Sequence, residues 1–194
     1  MAEKITRITL LQRLRDRQDE SSWTDFAHYY QPFIHAVLRQ LGANTQDAED
    51  LCQTVLVKAW KVLPEFQYRP GECQFRTWLG RICHHTINSE YRRRNTLRRS
   101  EPEHLEIALS SEPEIDAVTE LEWQRYISDL AWKNIQGLFA ENVRQSFLLA
   151  ASGLNSTDIA LRLGLAESSV RVNKSRVIAA LCKEIVRLDN ELLH

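Results

Sequence analysis

The chain has 194 residues, enough for one large or two small domains, and its 43% of apolar residues can supply their cores. The net charge of −1 conceals two blocks of opposite sign. Residues 69–99 carry eight arginines against two glutamates, whereas residues 95–122 carry two arginines against eight acids. This separation favours local contact with nucleic acid over a uniformly basic, nonspecific coat.

The opening stretch does not resemble a signal peptide, because Lys4, Arg7, Arg13 and Arg15 interrupt it. No apolar run approaches the ~20 residues of a membrane span, so no membrane insertion is expected. The four cysteines lack close paired spacing, which predicts reduced thiols in a cytoplasmic protein.

The sequence offers little for a metal or for catalysis. Cys83-His84-His85 is a weak zinc candidate, because adjacent helical residues point in different directions and no second ligand cluster has suitable spacing. There is also no phosphate-binding glycine loop, no clustered metal-ligand carboxylates and no nucleophile–base pair. We therefore expect no metal, no cofactor and no enzymatic activity.

Apolar stripes with a 3.6-residue period recur, and only six glycines and five prolines occur, which predicts an all-α fold. A first helix is expected over about Thr9–Arg17. A second runs from Trp23 toward Leu41, with Pro32 as a candidate kink or break. Gly42 and Asn44 are expected to end that helix and cap the next one.

The third predicted helix, Asp47–Lys61, is amphipathic. Its apolar stripe is expected to comprise Ala48, Leu51, Cys52, Val55, Ala59, Val62 and Leu63. The other side is polar and contains Asp47, Asp50, Gln53, Thr54 and Lys58. This pattern favours a helix that docks on another protein, and a merely solvated helix face is the alternative.

An aromatic loop, Pro64–Phe75, and a basic helix follow directly. Aromatic side chains interleaved with arginines are typical of proteins that hold unstacked bases and neutralise their phosphates. Residues 95–113 then read as an acidic linker rich in serine and proline, after which Pro113 can open a further helix.

A helix-turn-helix is predicted over Asn155–Leu181. Ala160 is small where the two helices must approach closely, and Gly164 follows in the turn. Asn155 with Asp158 forms a plausible helix start. The second helix would enter the major groove with an outward set of Glu167, Ser168, Arg171, Val172, Ser175 and Arg176. A packed helical hairpin without DNA contact is the alternative.

Together these segments resemble a bacterial RNA polymerase sigma factor of the extracytoplasmic-function type. The resemblance covers about Leu10 to Leu188 and rests on DAEDL with Gln53, FRTWL with Arg81-Ile82, the three arginines 92–94 and the helix-turn-helix. It implies two small helical domains joined by an acidic linker: sigma region two at residues 1–94, the linker at 95–118 and sigma region four at 119–194.

The resemblance implies that Asp47, Asp50, Gln53 and Thr54 dock on the clamp helices of core RNA polymerase. The family usually has an acid where Thr54 stands. Promoter DNA is the second implied partner, and an anti-sigma factor or other regulator is a third.

The loop and the helix after it are implied to capture the melted minus-ten promoter element. The expected contacts are Phe66, Tyr68, Arg69, Gln74, Arg76, His85, Ser89, Arg92, Arg93 and Arg94. Stacking a base on an aromatic ring returns roughly 1–3 kcal/mol, comparable to the ~1.4 kcal/mol cost of a broken stacking step. The family often has Asn and Asp at the positions of His85 and Ser89, so base preference is open there.

The outward set of the helix-turn-helix is implied to read the minus-35 element. Ala140 and Ala166 stand where the family has a proline and a hydroxyl cap. Two alternatives remain open: a conventional helix-turn-helix regulator that binds duplex DNA without polymerase, and a protein-binding regulator that has lost DNA recognition.

Overall fold

The computed structural model describes residues 13, 14, 16, 19–63, 66, 75–97 and 111–193. Within them every regular element is helical, as predicted. The α-helices are α1 (Glu20–Gln40), α2 (Thr45–Val62), α3 (Phe75–Leu97), α4 (Glu112–Ile135), α5 (Glu141–Ala151), α6 (Ser156–Leu163) and α7 (Glu167–Leu193), and a short 3₁₀ helix, Gln136–Leu138, follows α4. In this part of the chain no helix is long and apolar enough to cross a bilayer.

Helix α1 begins at an aspartate cap and runs unbroken through a proline. The side chain of Asp19 accepts a hydrogen bond from the amide of Ser22, which satisfies one of the unpaired amides of the first turn. Pro32 lies inside the helix but does not end it. The predicted helix from Trp23 toward Leu41 is confirmed, whereas the predicted helix over Thr9–Arg17 lies almost entirely outside the described residues.

The turn between α1 and α2 has the predicted chemistry. Gly42 has φ +97°, a left-handed conformation that glycine adopts without strain. Asn44 then caps α2 by accepting a hydrogen bond from the amide of Asp47 at 2.8 Å. The predicted apolar stripe of α2 is buried except for Val62, which is 45% exposed. The assignment was therefore wrong for Val62, the last residue of α2, because at the end of the helix the neighbouring Leu63 and not Val62 is buried in the core.

Aromatic rings form the centre of the N-terminal core. Phe26 and Tyr30 of α1 contact Phe75, and Phe33 meets the ring of Trp123 edge-on with 5.2 Å between centroids. Trp123 is 2% exposed. Since Trp123 belongs to α4, that helix contributes directly to the core formed by α1–α3.

The chain forms two compact units that divide between Tyr126 and Ile127, both within α4. The predicted domain boundary lay eight residues earlier, at 118/119. The difference arises from α4: its residues 115, 119, 122 and 123 are buried in the first unit. Helix α3 also extends to Leu97 and α4 begins at Glu112, so both ends of the predicted linker are helical and residues 98–110 lie outside the described set.

The second unit, Ile127–Asn190, contains the predicted helix-turn-helix. Asn155 caps α6 by accepting from the amide of Asp158, and Gly164 ends it with φ +64°. The amide of Leu165 donates to the carbonyl of Ala160 at 3.0 Å, which closes the turn before α7. Buried Ile159, Ala160 and Val170 hold the two helices together, with partly buried Leu149, Ala150, Leu154, Leu163 and Leu165 packed against them.

Candidate functional site

The outer side of α2 presents a mixed polar and apolar surface. Asp50, Gln53 and Thr54 are exposed, as predicted, and Val57 on the next turn is 51% exposed. Positions 50, 53, 54 and 57 lie on one side of a helix of 3.6 residues per turn. We call these four residues the docking face. Val57 was missed in the sequence, although its spacing from Gln53 and Thr54 places it there.

Asp47 differs from the other predicted docking residues. Its carboxylate accepts two hydrogen bonds, each 2.8 Å, from the guanidinium of Arg94 in α3. This contact holds the pKa of Asp47 below its usual value. Asp47 is therefore engaged inside the N-terminal unit.

On α3 three predicted minus-ten contacts form an exposed row. His85, Ser89 and Arg92 are all exposed, at spacings of four and three residues. The hydroxyl of Ser89 donates to the carbonyl of His85 at 2.7 Å. With a rise of 1.5 Å per residue, the row extends about 10 Å along the helix. We call these three residues the α3 row. Polar groups and one cation at this spacing can contact successive groups of a nucleic-acid strand.

The three consecutive arginines of α3 have different environments. Arg93 donates to Glu90 at 2.9 and 2.8 Å, and Arg94 binds both Glu90 and Asp47. Arg92 is exposed, and among the described residues its side chain has no acidic partner. The guanidinium groups of Arg93 and Arg94 lower the pKa of Glu90 to about 2. Two of the three charges are thus largely offset within the protein.

Arg76 was predicted to contact DNA, but the structure places it inside the N-terminal unit. It is 8% exposed, and its Nε atom donates to Glu120 of α4 at 2.7 Å. Its guanidinium carbon lies 6.0 Å from the ring centroid of Trp123. In this arrangement Arg76 is not available to DNA; it joins α3 to α4. Arg81 also joins α3 to α4, because its guanidinium donates two hydrogen bonds to the carboxylate of Asp116, at 3.0 and 3.3 Å.

Phe66 is half-buried and packs on two aromatic rings. Its centroid lies 4.8 Å from that of Trp78 and 5.6 Å from that of Phe75. The interpretation of Trp78 as a packing residue agrees with this cluster. Tyr68, Arg69 and Gln74, also predicted for the minus-ten site, lie outside the described residues.

The first turns of α7 carry the predicted minus-35 residues on their outer side. Ser168, Arg171, Val172, Ser175 and Arg176 are exposed, and Glu167 is half-buried. Arg171 forms an ion pair with Glu167 one turn earlier. Arg176 has no acidic partner among the described residues. Buried Val170 and Val177 hold the opposite side of the helix against the unit, so the outward set is presented to solvent.

The Cys83-His84-His85 sequence is divided between core and surface. Cys83 is fully buried, and burial raises the pKa of its thiol well above the usual value, whereas His85 points outward. Burial likewise raises the pKa of Cys52 to about 11. Within the described ranges no cluster of three or more His, Cys, Asp or Glu side chains is placed to hold a metal ion.

Two solved structures are distantly similar to the chain. One shows CnrH in complex with the cytosolic domain of CnrY: 22% identity, 94% of this chain and 96% of that chain covered, TM-score 0.37. The other shows the sigma factor RpoE in complex with the anti-sigma factor NepR from Bartonella quintana: 22% identity, 86% and 97% covered, TM-score 0.33. Neither score by itself establishes a shared fold.

Sequence comparison is more informative for the N-terminal unit. Residues 26–96 match the sigma-70 region 2 family. The RNA polymerase sigma factor YlaC of Bacillus subtilis (strain 168) is 37% identical over 68 residues, which span 35% of this chain and 37% of that relative. The family match covers most of α1, all of α2 and all but the last residue of α3, and α2 and α3 carry the docking face and the α3 row. Residues 26–96 of this chain therefore carry a sigma-70 region 2 domain, in agreement with the resemblance noted for this part of the sequence.

Proposed function

We propose that the chain is a promoter-specificity subunit that binds core RNA polymerase, recognises the minus-ten and minus-35 elements and assists DNA melting. The observation that carries this proposal is the pair of surfaces on neighbouring helices of the sigma-70 region 2 domain. The docking face on α2 is acidic and polar with an exposed apolar Val57, and the α3 row carries the exposed Arg92, which has no acidic partner in the described part of the chain. A conventional regulator needs no separate protein-docking helix beside a DNA-binding one.

In this function the docking face binds the polymerase clamp, and the α3 row binds the melted minus-ten strand together with Tyr68, Arg69 and Gln74 of the loop. The outward set of α7 reads the minus-35 element. There Arg171 can pair with guanine, and the exposed Val172 can contact a thymine methyl group. The chain acts in the cytoplasm without catalytic activity of its own. An anti-sigma factor or other regulator is a further proposed partner.

The decisive experiment is run-off transcription with purified core enzyme on a promoter library. Transcripts that require both core enzyme and this chain are the expected result. Tight binding to duplex DNA by the chain alone, with no core-dependent transcript, would instead support a conventional helix-turn-helix regulator. Core binding without any transcript would support a purely protein-binding regulator.

The docking face is tested by Asp50→Arg. The acidic and polar docking face suits a partner rich in arginine, so the positive charge of this variant should lower affinity for core enzyme by about tenfold or more. The fold should survive, because Asp50 is exposed. The matched control is Glu49→Arg, the same charge change about 100° around the helix. Co-purification with core enzyme and a thermal melt measure both properties, and equal core binding by the two variants would contradict the docking assignment.

The minus-ten assignment is tested by alanine at His85, Ser89 and Arg92 together. This variant should bind core enzyme normally but open promoters poorly, because the single strand loses its contacts. Permanganate reactivity of promoter thymines reports opening directly. Undiminished reactivity would place the minus-ten contacts elsewhere, in the loop that contains Tyr68.

A further inference from the structure

The C-terminal turn of α3 is tied to the start of α2 by a bidentate ion pair. Both terminal nitrogens of Arg94 donate to the two carboxylate oxygens of Asp47, each at 2.8 Å. Asn44, the cap of α2, donates from its amide to the same carboxylate at 2.9 Å. The Asp47 side chain is 16% exposed and that of Arg94 38%. Fork-to-fork geometry of this kind fixes orientation as well as distance.

Two further contacts hold the same turn. The Nε atom of Arg94 donates to Glu90 at 2.8 Å, within α3. The hydroxyl of Tyr91 donates to the carbonyl of Gly42 at 3.2 Å, in the turn that precedes α2. The last turns of α3 are therefore hydrogen-bonded to the α1–α2 turn through Tyr91, and Arg94 is also paired with Glu90 within α3 itself.

Arg92 lies between Tyr91 and Arg94, whose side chains make these contacts. Tyr91 and Arg94 point toward the start of α2, so the helical geometry directs Arg92 outward. The orientation of Arg92 is thus set by its neighbours and not by a partner of its own among the described residues.

We propose that Asp47 is a positioning residue that acts through Arg94, orienting the C-terminal turn of α3 so that Arg92 binds the backbone of the melted promoter strand. Asp47 then does not contact polymerase, although it lies on the docking helix and was predicted to do so. Arg94 likewise orients the C-terminal turn of α3 and does not bind phosphate. The inference rests on the proposed function, because it assigns roles within its minus-ten site.

Conservative substitutions separate positioning from direct contact. Arg94→Lys retains the charge but loses the bidentate geometry, because a lysine ammonium is a point charge. Promoter opening by the holoenzyme should then fall about fivefold, the upper end for a partly exposed ion pair. Arg92→Lys should lose less promoter opening than Arg94→Lys, because a point charge still binds phosphate. A direct phosphate role for Arg94 predicts equal tolerance at both positions.

The salt dependence of promoter binding distinguishes the loss of a phosphate contact from the loss of local structure. Arg92→Ala should reduce the slope of log affinity against log salt by about 0.7–0.9, the loss of one phosphate contact. Asp47→Asn and Arg94→Lys should weaken promoter binding while leaving that slope unchanged. Asp47→Asn should also bind core enzyme as wild type does, with Glu49→Gln as the matched control for loss of one acidic charge on α2.

The charge swap Asp47→Arg with Arg94→Asp provides the strongest test. It should open promoters better than either single variant, although position 94 then carries a negative charge that no phosphate contact tolerates. A swapped protein that melts normally and binds core enzyme, but opens promoters no better than the worse single variant, would overturn the proposal. So would weakened core binding by Asp47→Asn with unchanged promoter opening once the holoenzyme is formed. If wild type gave no core-dependent transcription, the proposed function would fail first, and the inference with it.

Discussion

The ionisation of Glu90 makes the stability of the basic end of α3 depend on pH. Its pKa is lowered to about 2, chiefly by the hydrogen bonds from Arg93 and next by that from Arg94. A carboxyl whose pKa is lower in the folded state stabilises the fold above its unfolded pKa of ~4.3, and this stabilisation is lost as pH falls toward 2. Glu90→Gln should therefore lower the free energy of unfolding by about 1 kcal/mol at pH 7. Denaturant titrations should show the difference from wild type vanishing near pH 2, whereas a pH-independent difference would contradict the ion-pair explanation.

Two arginines of α7 are expected to act differently. Arg171 pairs with Glu167, whereas Arg176 has no acidic partner among the described residues. We expect Arg171 to read a base: Arg171→Ala should cost roughly 1–3 kcal/mol and relax preference at one minus-35 position. Arg176→Ala should weaken all sequences alike and flatten the salt slope by about one unit. Holoenzyme binding to a minus-35 library at two salt concentrations checks this, and equal effects of Arg171→Ala at every base would contradict it.

At the scale of elements, the crossing of α3 and α4 depends on a glycine. A Cβ atom at Gly80 would lie 2.2 Å from the hydroxyl oxygen of Thr119 and 2.7 Å from its methyl carbon. Gly80→Ala should therefore destabilise the protein by about 1–3 kcal/mol through overpacking. Adding Thr119→Ala removes both close atoms and should recover part of the loss, which thermal melts of the single and double variants would show. No recovery would mean that Gly80 is required for the local backbone conformation and not for the close contact with Thr119.

The same crossing explains why part of the acidic block is not a linker. Asp116 and Glu120 of α4 bind Arg81 and Arg76 of α3, and Ile115 is buried. The acids look solvated in the sequence because their partners lie far away along the chain. Pro113 lies in the first turn of α4, as expected, where its missing amide hydrogen costs nothing.

At the scale of the whole molecule, the position of the unit boundary can be tested with fragments. A fragment ending at residue 130 retains Trp123, whereas one ending at residue 118 loses it. Removing a buried tryptophan side chain costs about 3–5 kcal/mol, so the shorter fragment should melt at a clearly lower temperature. Trp123→Ala in the longer fragment should reproduce much of that loss. Equal melting of the two fragments would instead support the predicted boundary at 118/119.

The sequence by itself determined the all-α class, the caps of α2 and α6 and the helix-turn-helix. Asn44 and Asn155 cap α2 and α6, and Gly164 ends α6, as predicted. Stripes and caps act over three or four residues, so the local sequence contains the information that specifies them. The exposure of Asp50 and Gln53 followed from the same periodicity.

Only the tertiary structure decided which charges remain available for partners. Asp47 pairs with Arg94 across 47 residues, Arg76 with Glu120 across 44, and Arg81 with Asp116 across 35. The sequence shows these groups as separate acidic and basic blocks. They meet only after aromatic packing brings α2, α3 and α4 together, because periodicity orients a residue around its own helix but does not specify which distant residue it faces.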